Sequence, residues 1–151
     1  MAIARAEINY QPLRADHIKL LMPIELDAYP EPWTERMFRD EIGNTRSHFF
    51  VAILDGKVVG YGGFWLVLDE AHITSVTIEH DSRSLGYGRT LFEHLLKSAR
   101  DVGASVATLE VRESNTPARN LYTSMGFCQV GIRKGYYPKS GENAIVMSAS
   151  L

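Results

Sequence analysis

The sequence is poor in several features that define large classes of proteins. It has a single cysteine, Cys128, so no disulfide can form within the chain, and a reducing compartment is expected. No apolar run approaches the length that spans a membrane, and the N-terminal residues lack the apolar segment of a secretory signal. We therefore expect a cytoplasmic protein that has no membrane segment.

The charges are nearly balanced and show no cluster. With 16 Lys and Arg against 18 Asp and Glu, the formal net charge is -2, which argues against nucleic-acid binding because that needs a clustered basic face. The five histidines have no metal-ligand spacing with cysteines or acids, so no metal site is predicted. The hydrophobic fraction is 45% over 151 positions, which predicts an ordinary globular chain with one domain, residues 1–151.

Two residues that could carry chemistry have ordinary structural interpretations. His72 lies in a candidate core strand, where a histidine bonded to a neighbour is more common than a metal ligand. Cys128 has no local signature of a nucleophile, so it is expected to be a small buried residue. Neither residue is predicted to define a site by itself.

The pattern of periodicity and turn residues predicts the element order β, α, α, β, β, β, α, β, α, β, β. Strands are predicted at residues 6–11, 48–54, 57–68, 71–79, 106–112, 127–137 and 143–150. Asp16 and Thr34 are the predicted caps of the first two helices, and Pro23 is expected to kink or split the first. Gly60, Gly62 and Gly63 indicate a bulge or close backbone packing. This order predicts an α/β fold with a mixed sheet flanked by helices.

A glycine-rich turn precedes the third helix. Residues 83–88, RSLGYG, follow the β-branched strand at 71–79 and lead into an amphipathic helix at 89–102. A helix N-terminus presents unpaired N–H groups and a partial positive charge, and glycines let an anion approach that backbone. The spacing fits neither a P-loop nor a dinucleotide fingerprint. Either this is an anion cradle, or it is simply a tight turn between a strand and a helix.

Several motifs, taken in order, resemble the GCN5-related N-acetyltransferases, and most closely their RimI-like branch, the ribosomal-protein alanine N-terminal acetyltransferases. The motifs are PWTERMF, LDEAHI, RSLGYG, LEVRESN, ARNLYTSMGF and RKGYYP, and together they span nearly the whole chain. The resemblance implies the acyl-CoA N-acyltransferase fold, with a central, mostly antiparallel mixed sheet. It also implies that acetyl-CoA is the cosubstrate.

By the same resemblance, the strand before the turn, the turn itself and the cap of the fourth helix would contact CoA. Matched residues of the family lie along the pantetheine arm or hold the pyrophosphate. The residues implied are Val76, Thr77, Ile78, Arg83, Ser84, Leu85, Gly86, Tyr87, Gly88, Arg89, Thr90 and Asn115. Asn115 is equally well placed as the N-cap of a helix, and both roles can hold at once.

Glu110 is the candidate general base. It lies inside VATLEVR, which otherwise has the pattern of a central strand, and burial there would raise the pKa of the carboxyl toward that of a usable base. In RimI-like enzymes the matching glutamate acts on the substrate amine. The alternative is a polar strand face formed by Thr108, Glu110 and Arg112, with Glu110 paired to a nearby cation.

Tyr122 is the candidate general acid. It shares a helix face with apolar residues, so it can also be a core tyrosine whose hydroxyl finds an acceptor. When an amine attacks the thioester, CoA leaves as a thiolate, which a phenol in hydrogen-bond reach can protonate. The family's tyrosine at this position does so.

The acceptor side is predicted to be an exposed aromatic and acidic rim suited to a cationic peptide N-terminus. Its residues are Glu25, Tyr29, Trp33, Tyr136 and Tyr137, and ordinary packing of loop aromatics is the alternative. The resemblance implies acetyl transfer to the N-terminal α-amine of a protein, a ribosomal protein alanine above all, by direct attack in a ternary complex. The other possibilities are an acetyltransferase for a small amine, such as a polyamine or aminoglycoside, and a CoA-binding regulatory module without turnover.

Overall fold

The computed structural model describes residues 7–151, so Ala6, where the first strand is predicted to begin, lies outside them. The predicted order of helices and strands is confirmed. The strands are β1 Asn9–Pro12, β2 Ser47–Leu54, β3 Lys57–Val67, β4 Glu70–Ile78, β5 Val106–Arg112, β6 Cys128–Tyr137 and β7 Glu142–Ser150. The α-helices are α1 Ala15–Ala28, α2 Glu35–Gly43, α3 Tyr87–Asp101 and α4 Thr116–Ser124. A short 3₁₀ helix at His80–Ser82 had not been predicted.

The seven strands within residues 7–151 form one mixed sheet, as the fold-class prediction requires. The strand order is β1-β2-β3-β4-β5-β7-β6. β4 and β5 run parallel, whereas β1 with β2, β5 with β7 and β6 with β7 are antiparallel. No helix within residues 7–151 is long and apolar enough to cross a membrane.

The first helix departs from the prediction at its start and at its proline. Its N-cap is Arg14 rather than Asp16, and the backbone N–H of Arg14 donates to Nδ1 of His17 at 3.0 Å. Pro23 lies inside the helix without splitting it. Ile18 and Leu21 on this helix are almost completely buried, and we attribute its continuity to that packing, because tertiary contacts routinely override local propensity.

The chain divides into two compact units. The first comprises Met1–Gly63 and Ser75–Phe92, and the second comprises Phe64–Thr74 and Glu93–Leu151. The first unit has an aromatic core in which the ring of Phe38 lies 5.1 Å from Trp33 and 5.8 Å from both Phe49 and Tyr61. That the whole chain is a single domain, residues 1–151, stays a prediction.

Close backbone packing explains two of the glycines of β3. A Cβ atom on Gly60 would lie 2.6 Å from the carbonyl oxygen of Thr77, and one on Gly63 would lie 2.5 Å from the ring of Phe49. Both distances are far below normal van der Waals contact. The structure thus supports the close-packing alternative at these positions.

In the second unit, β5 alternates strictly between buried and partly exposed side chains. Its buried face carries Ala107, Leu109 and Val111, so Glu110 lies on the opposite face. Cys128 begins the edge strand β6 and is exposed, so the prediction of a buried cysteine is wrong. The side chains of an edge strand have neighbours on one side only, and nearly all of β6 is exposed.

Candidate active site

The glycine-rich turn leads directly into α3, which begins at Tyr87, two residues earlier than predicted. Gly86 has a φ of +86°, in the region that favours glycine, and its carbonyl oxygen accepts from the N–H of Thr90 at 3.2 Å and from its hydroxyl at 3.0 Å. A Cβ on Gly86 would have no heavy atom of the described residues within 4 Å. The first turn of α3, all of it described, carries no acidic side chain. This helix start therefore has the open backbone and the positive dipole that an anion requires.

The turn is held against the end of β4 by Arg83. Its Nε donates to the carbonyl oxygen of Ile78 at 3.0 Å, so this side chain has a structural task besides any contact with phosphate. Ser84, the next residue, has a φ of +65°, which is uncommon for a residue with a side chain. Thr77 is buried, and its hydroxyl shares a 2.7 Å hydrogen bond with that of Tyr29.

Asn115 caps α4, as one of its two expected roles requires. Its Oδ1 accepts from the N–H of Ala118 at 3.3 Å. Tyr122, on the same helix, is 9% exposed and its ring centroid lies 6.3 Å from that of Phe127. This burial is what the core-tyrosine alternative requires.

Glu110 lies in a charged cluster that β4, β5 and β6 build together in the second unit. Its Oε2 lies 2.6 Å from Nε2 of His72, and its Oε1 lies 3.5 Å from Nε of Arg133. The side chain of Glu110 is 12% exposed. The parallel register explains the first contact, because His72 pairs with Thr108, two residues before Glu110 on the same face of β5.

The partners of Glu110 reverse the expected direction of its pKa. The hydrogen bond from His72 lowers the pKa of the Glu110 carboxyl more than burial raises it, and Arg133 lowers it further. In return, the bond to Glu110 raises the pKa of His72 above its ordinary value. The prediction of a raised pKa at Glu110 is wrong, and the structure shows the alternative in which the carboxylate is paired with cations.

The sequence did not reveal the part that His72 has in this cluster. His72 was predicted to be bonded to a neighbour, which the structure confirms, but the neighbour could not be named. Strand register is a long-range property that the local pattern at LDEAHI does not contain. The available signal was the alternation of side chains along each strand. It places His72 and Glu110 on the same face of the sheet once the two strands are known to be adjacent.

Of the predicted acceptor residues in the first unit, Glu25 is only 3% exposed, so it cannot belong to an exposed rim. Its Oε1 accepts from the hydroxyl of Tyr61 at 2.7 Å, and its Oε2 accepts from the backbone N–H of Trp33 at 2.9 Å. Burial raises the pKa of the Glu25 carboxyl. The ring of Trp33 packs against Phe38 and Phe49, as the packing alternative holds.

The two predicted acceptor residues in the second unit differ from each other. Tyr136 is 45% exposed. Tyr137 is instead in contact with Arg112, whose guanidinium carbon lies 3.8 Å from the centroid of its ring. Burial raises the pKa of Tyr137 to about 12, so its hydroxyl is protonated at neutral pH. Tyr136 is thus the more accessible of the pair.

Comparisons with known proteins agree with the motifs. The model of the acetyltransferase (GNAT) family matches residues 18–127. A Bacillus subtilis (strain 168) protein, named provisionally as a [ribosomal protein bS18]-alanine N-acetyltransferase, is 38% identical over 140 residues, 92% of this chain and 93% of its own. The [ribosomal protein bS18]-alanine N-acetyltransferase of Escherichia coli (strain K12) is 36% identical over 130 residues, 85% of this chain and 87% of its own.

A solved structure extends this similarity to the fold. The crystal structure of the ribosomal-protein-S18-alanine N-acetyltransferase from Escherichia coli superposes with a TM-score of 0.87 at 33% identity, covering 95% of this chain and 94% of that one. Each of these relatives is named as an enzyme, so they give no support to a module without turnover. The chain therefore belongs to the GNAT family of acetyl-CoA-dependent N-acetyltransferases, in its RimI-like branch.

Proposed function

We propose that this protein transfers the acetyl group of acetyl-CoA to the N-terminal α-amine of a ribosomal protein that begins with alanine. Two relatives that cover most of the chain carry bS18-alanine N-acetyltransferase in their names. The observation that carries the proposal is the 2.6 Å contact between His72 and Glu110, because it gives the second unit a group that can take up a proton near neutral pH.

The His72–Glu110 pair acts as the base. The attacking amine must lose a proton when its lone pair forms the new C–N bond to the acetyl carbon. Glu110 stays ionised and orients the imidazole, while His72, whose pKa is raised, supplies the basicity that the carboxylate alone lacks. Turnover then requires His72 to be neutral before the reaction.

Tyr122 acts as the general acid. As the C–S bond breaks, the phenol gives its proton to the CoA sulfur, so that a thiol leaves rather than a thiolate. The products are the acetylated amine and CoA; His72 then releases to solvent the proton taken from the amine, and the phenol regains a proton from solvent.

The turn of residues 83–88 and the first turn of α3 hold acetyl-CoA by its pyrophosphate, and β4 binds its pantetheine arm through backbone groups of Val76, Thr77 and Ile78. The fit is supported by the open space around Gly86 and by the absence of acidic side chains from the described first turn of α3. A Cβ on Gly88 would lie 3.9 Å from the side chain of Ile78, which is ordinary van der Waals contact.

The chemistry of the base favours an α-amine over a lysine side chain. An α-amino group has a pKa of about 8 and a lysine about 10.4, so a far larger fraction of the former is neutral near pH 7. A base of histidine type can complete the deprotonation of the first but gives little driving force for the second. A small amine remains the competing acceptor, and it differs from a peptide in lacking a chain for the loop at residues 29–33 to contact.

The test is mass spectrometry of a panel of acceptors incubated with acetyl-CoA and the purified protein. The panel holds short peptides that begin with alanine, serine or methionine, an acetyl-blocked peptide with an internal lysine, and the polyamine spermidine. We expect a gain of one acetyl group on the free α-amines, with alanine fastest, and none on the blocked peptide. Acetylation of spermidine alone would replace this proposal by the small-amine alternative.

A further inference from the structure

Glu25 is a buried carboxylate that the proposed chemistry leaves without a task. It lies on α1 and is only 3% exposed. Isolated buried carboxylates are costly, so such a group persists where its oxygens are hydrogen-bonded. Both oxygens of Glu25 have a partner, since one accepts from the hydroxyl of Tyr61 and the other from the backbone N–H of Trp33.

The second partner belongs to the loop at residues 29–33, YPEPW, which joins α1 to α2. Pro30 and Pro32 have no backbone N–H, so this loop has few main-chain donors by which it can be held. At its start, the hydroxyl of Tyr29 bonds to that of Thr77 at 2.7 Å. At its end, the N–H of Trp33 donates to Oε2 of Glu25 at 2.9 Å. The loop is thus fixed at both ends by polar contacts within the first unit.

We propose that Glu25 is a positioning residue, which fixes the end of the loop at residues 29–33 and thereby sets the affinity for the acceptor. The proposal rests on the proposed function in one respect, namely that this loop contacts the acceptor. It replaces the expectation that Glu25 itself meets the incoming amine, which its burial excludes. Glu25 acts through the backbone of Trp33 and takes no part in proton transfer.

The chemistry of the side chain offers a sharp test. The amide of Glu25→Gln keeps one acceptor oxygen for the N–H of Trp33, and its NH₂ group can donate to the hydroxyl oxygen of Tyr61, which accepts as well as donates. Both contacts can therefore survive in this variant. Glu25→Leu has a similar size but no acceptor, so it leaves the N–H of Trp33 without its partner.

The experiment compares four proteins: the wild type, Glu25→Leu, Glu25→Gln and Tyr61→Phe. KM and kcat are measured with a short peptide that begins with alanine, and KM is also measured for acetyl-CoA. We expect Glu25→Leu to raise the acceptor KM about tenfold, with little change in kcat or in KM for acetyl-CoA, since one hydrogen bond of the loop is lost. Glu25→Gln and Tyr61→Phe are expected to stay within about twofold of the wild type, because both retain an acceptor for Trp33.

Two results would overturn the proposal. One is an unchanged acceptor KM in Glu25→Leu, and the other is a Glu25→Gln variant no better than Glu25→Leu. If Glu25→Leu does not fold and so fails to bind acetyl-CoA, the other two variants decide, because a raised acceptor KM in either of them contradicts the account. Failure of the proposed function appears separately, since the wild type would then acetylate no peptide, and the KM comparison would be made with spermidine.

Discussion

Glu25 and Glu110 are the same residue type in two regions of one chain, and the structure gives them opposite properties. The donors to Glu25 among the described residues are uncharged, a phenol and a peptide N–H, and burial raises its pKa. Glu110 is also largely buried, but it faces an imidazole and a guanidinium, and its pKa is lowered. The charge of the partner, rather than the depth of burial, decides whether the pKa of each carboxyl is raised or lowered.

This difference teaches what each glutamate can do. A carboxylate among neutral donors is an anchor whose value lies in its two acceptor oxygens. A carboxylate beside a titratable cation forms a unit that holds or releases one proton. Under the proposed function, Glu25 has a positioning task and Glu110 takes part in proton transfer, and each of the following experiments can contradict that difference.

The largest effect is expected from Glu110→Gln. The amide keeps the shape of the side chain but removes the charge that orients His72, so we expect kcat to fall by roughly 10² to 10⁴-fold. Affinity for acetyl-CoA, measured by calorimetry, is expected to be unchanged. Thr108→Ala, on the same face of β5, is the matched control and should retain nearly full activity. Normal turnover in Glu110→Gln would remove this residue from the mechanism.

Tyr122→Phe is expected to have the next largest effect. Without the phenolic proton the CoA thiolate must leave unprotonated, so kcat should fall on the order of 10²-fold at a constant KM for the peptide. The loss should shrink with an acetyl thioester whose thiol is more acidic, because such a leaving group needs no protonation. A core role alone predicts no dependence on the leaving group, which makes the series of thioesters the decisive control.

The titration of His72 tests the hydrogen bond between His72 and Glu110 more directly. In the wild type its pKa, followed by NMR of the imidazole protons, should lie above the ordinary value of 6.5, and kcat/KM should rise with pH through that same pKa. In Glu110→Gln the pKa of His72 should fall, because the hydrogen bond that His72 donates to the carboxylate is the main cause of its raised pKa. A pKa of His72 that does not respond to Glu110→Gln contradicts the pairing.

The smallest effect is on the pH dependence of stability, where the two glutamates should have opposite signs. Glu25 has a raised folded-state pKa, so its contribution to the free energy of unfolding is lost as pH rises from 4.5 through that pKa. Glu110 has a lowered pKa, so its contribution is present above 4.5 and is lost as pH falls. Denaturant unfolding of Glu25→Gln and Glu110→Gln across this range should show both trends, and parallel trends would contradict the comparison.

The sequence predicted the fold well because its signals are local. Period, caps and turn residues establish the order of elements, and the Thr34 cap is confirmed, since its hydroxyl accepts from the N–H of Met37 at 3.2 Å. Pro23 shows the limit, because a helix whose apolar face is buried tolerates a proline that local propensity would reject.

The site was less predictable because its properties arise between strands and between helices and loops. Glu110 was identified, but its partners His72 and Arg133 come from positions 38 and 23 residues away, so the direction of its pKa could not be read from the strand alone. Glu25 was placed on a surface rim because its neighbours in sequence are acidic and aromatic. Its true environment depends on Tyr61, which lies 36 residues further along the chain.

The most direct test of the comparison is an NMR titration of the side-chain carboxyl carbons in the wild-type protein, with the two signals assigned from Glu25→Gln and Glu110→Gln. We predict that the pKa of Glu25 lies above 4.5 and that of Glu110 below it. Two values near 4.5, or values in the reverse order, would contradict the assignment of an anchor to one region and a proton-transfer pair to the other.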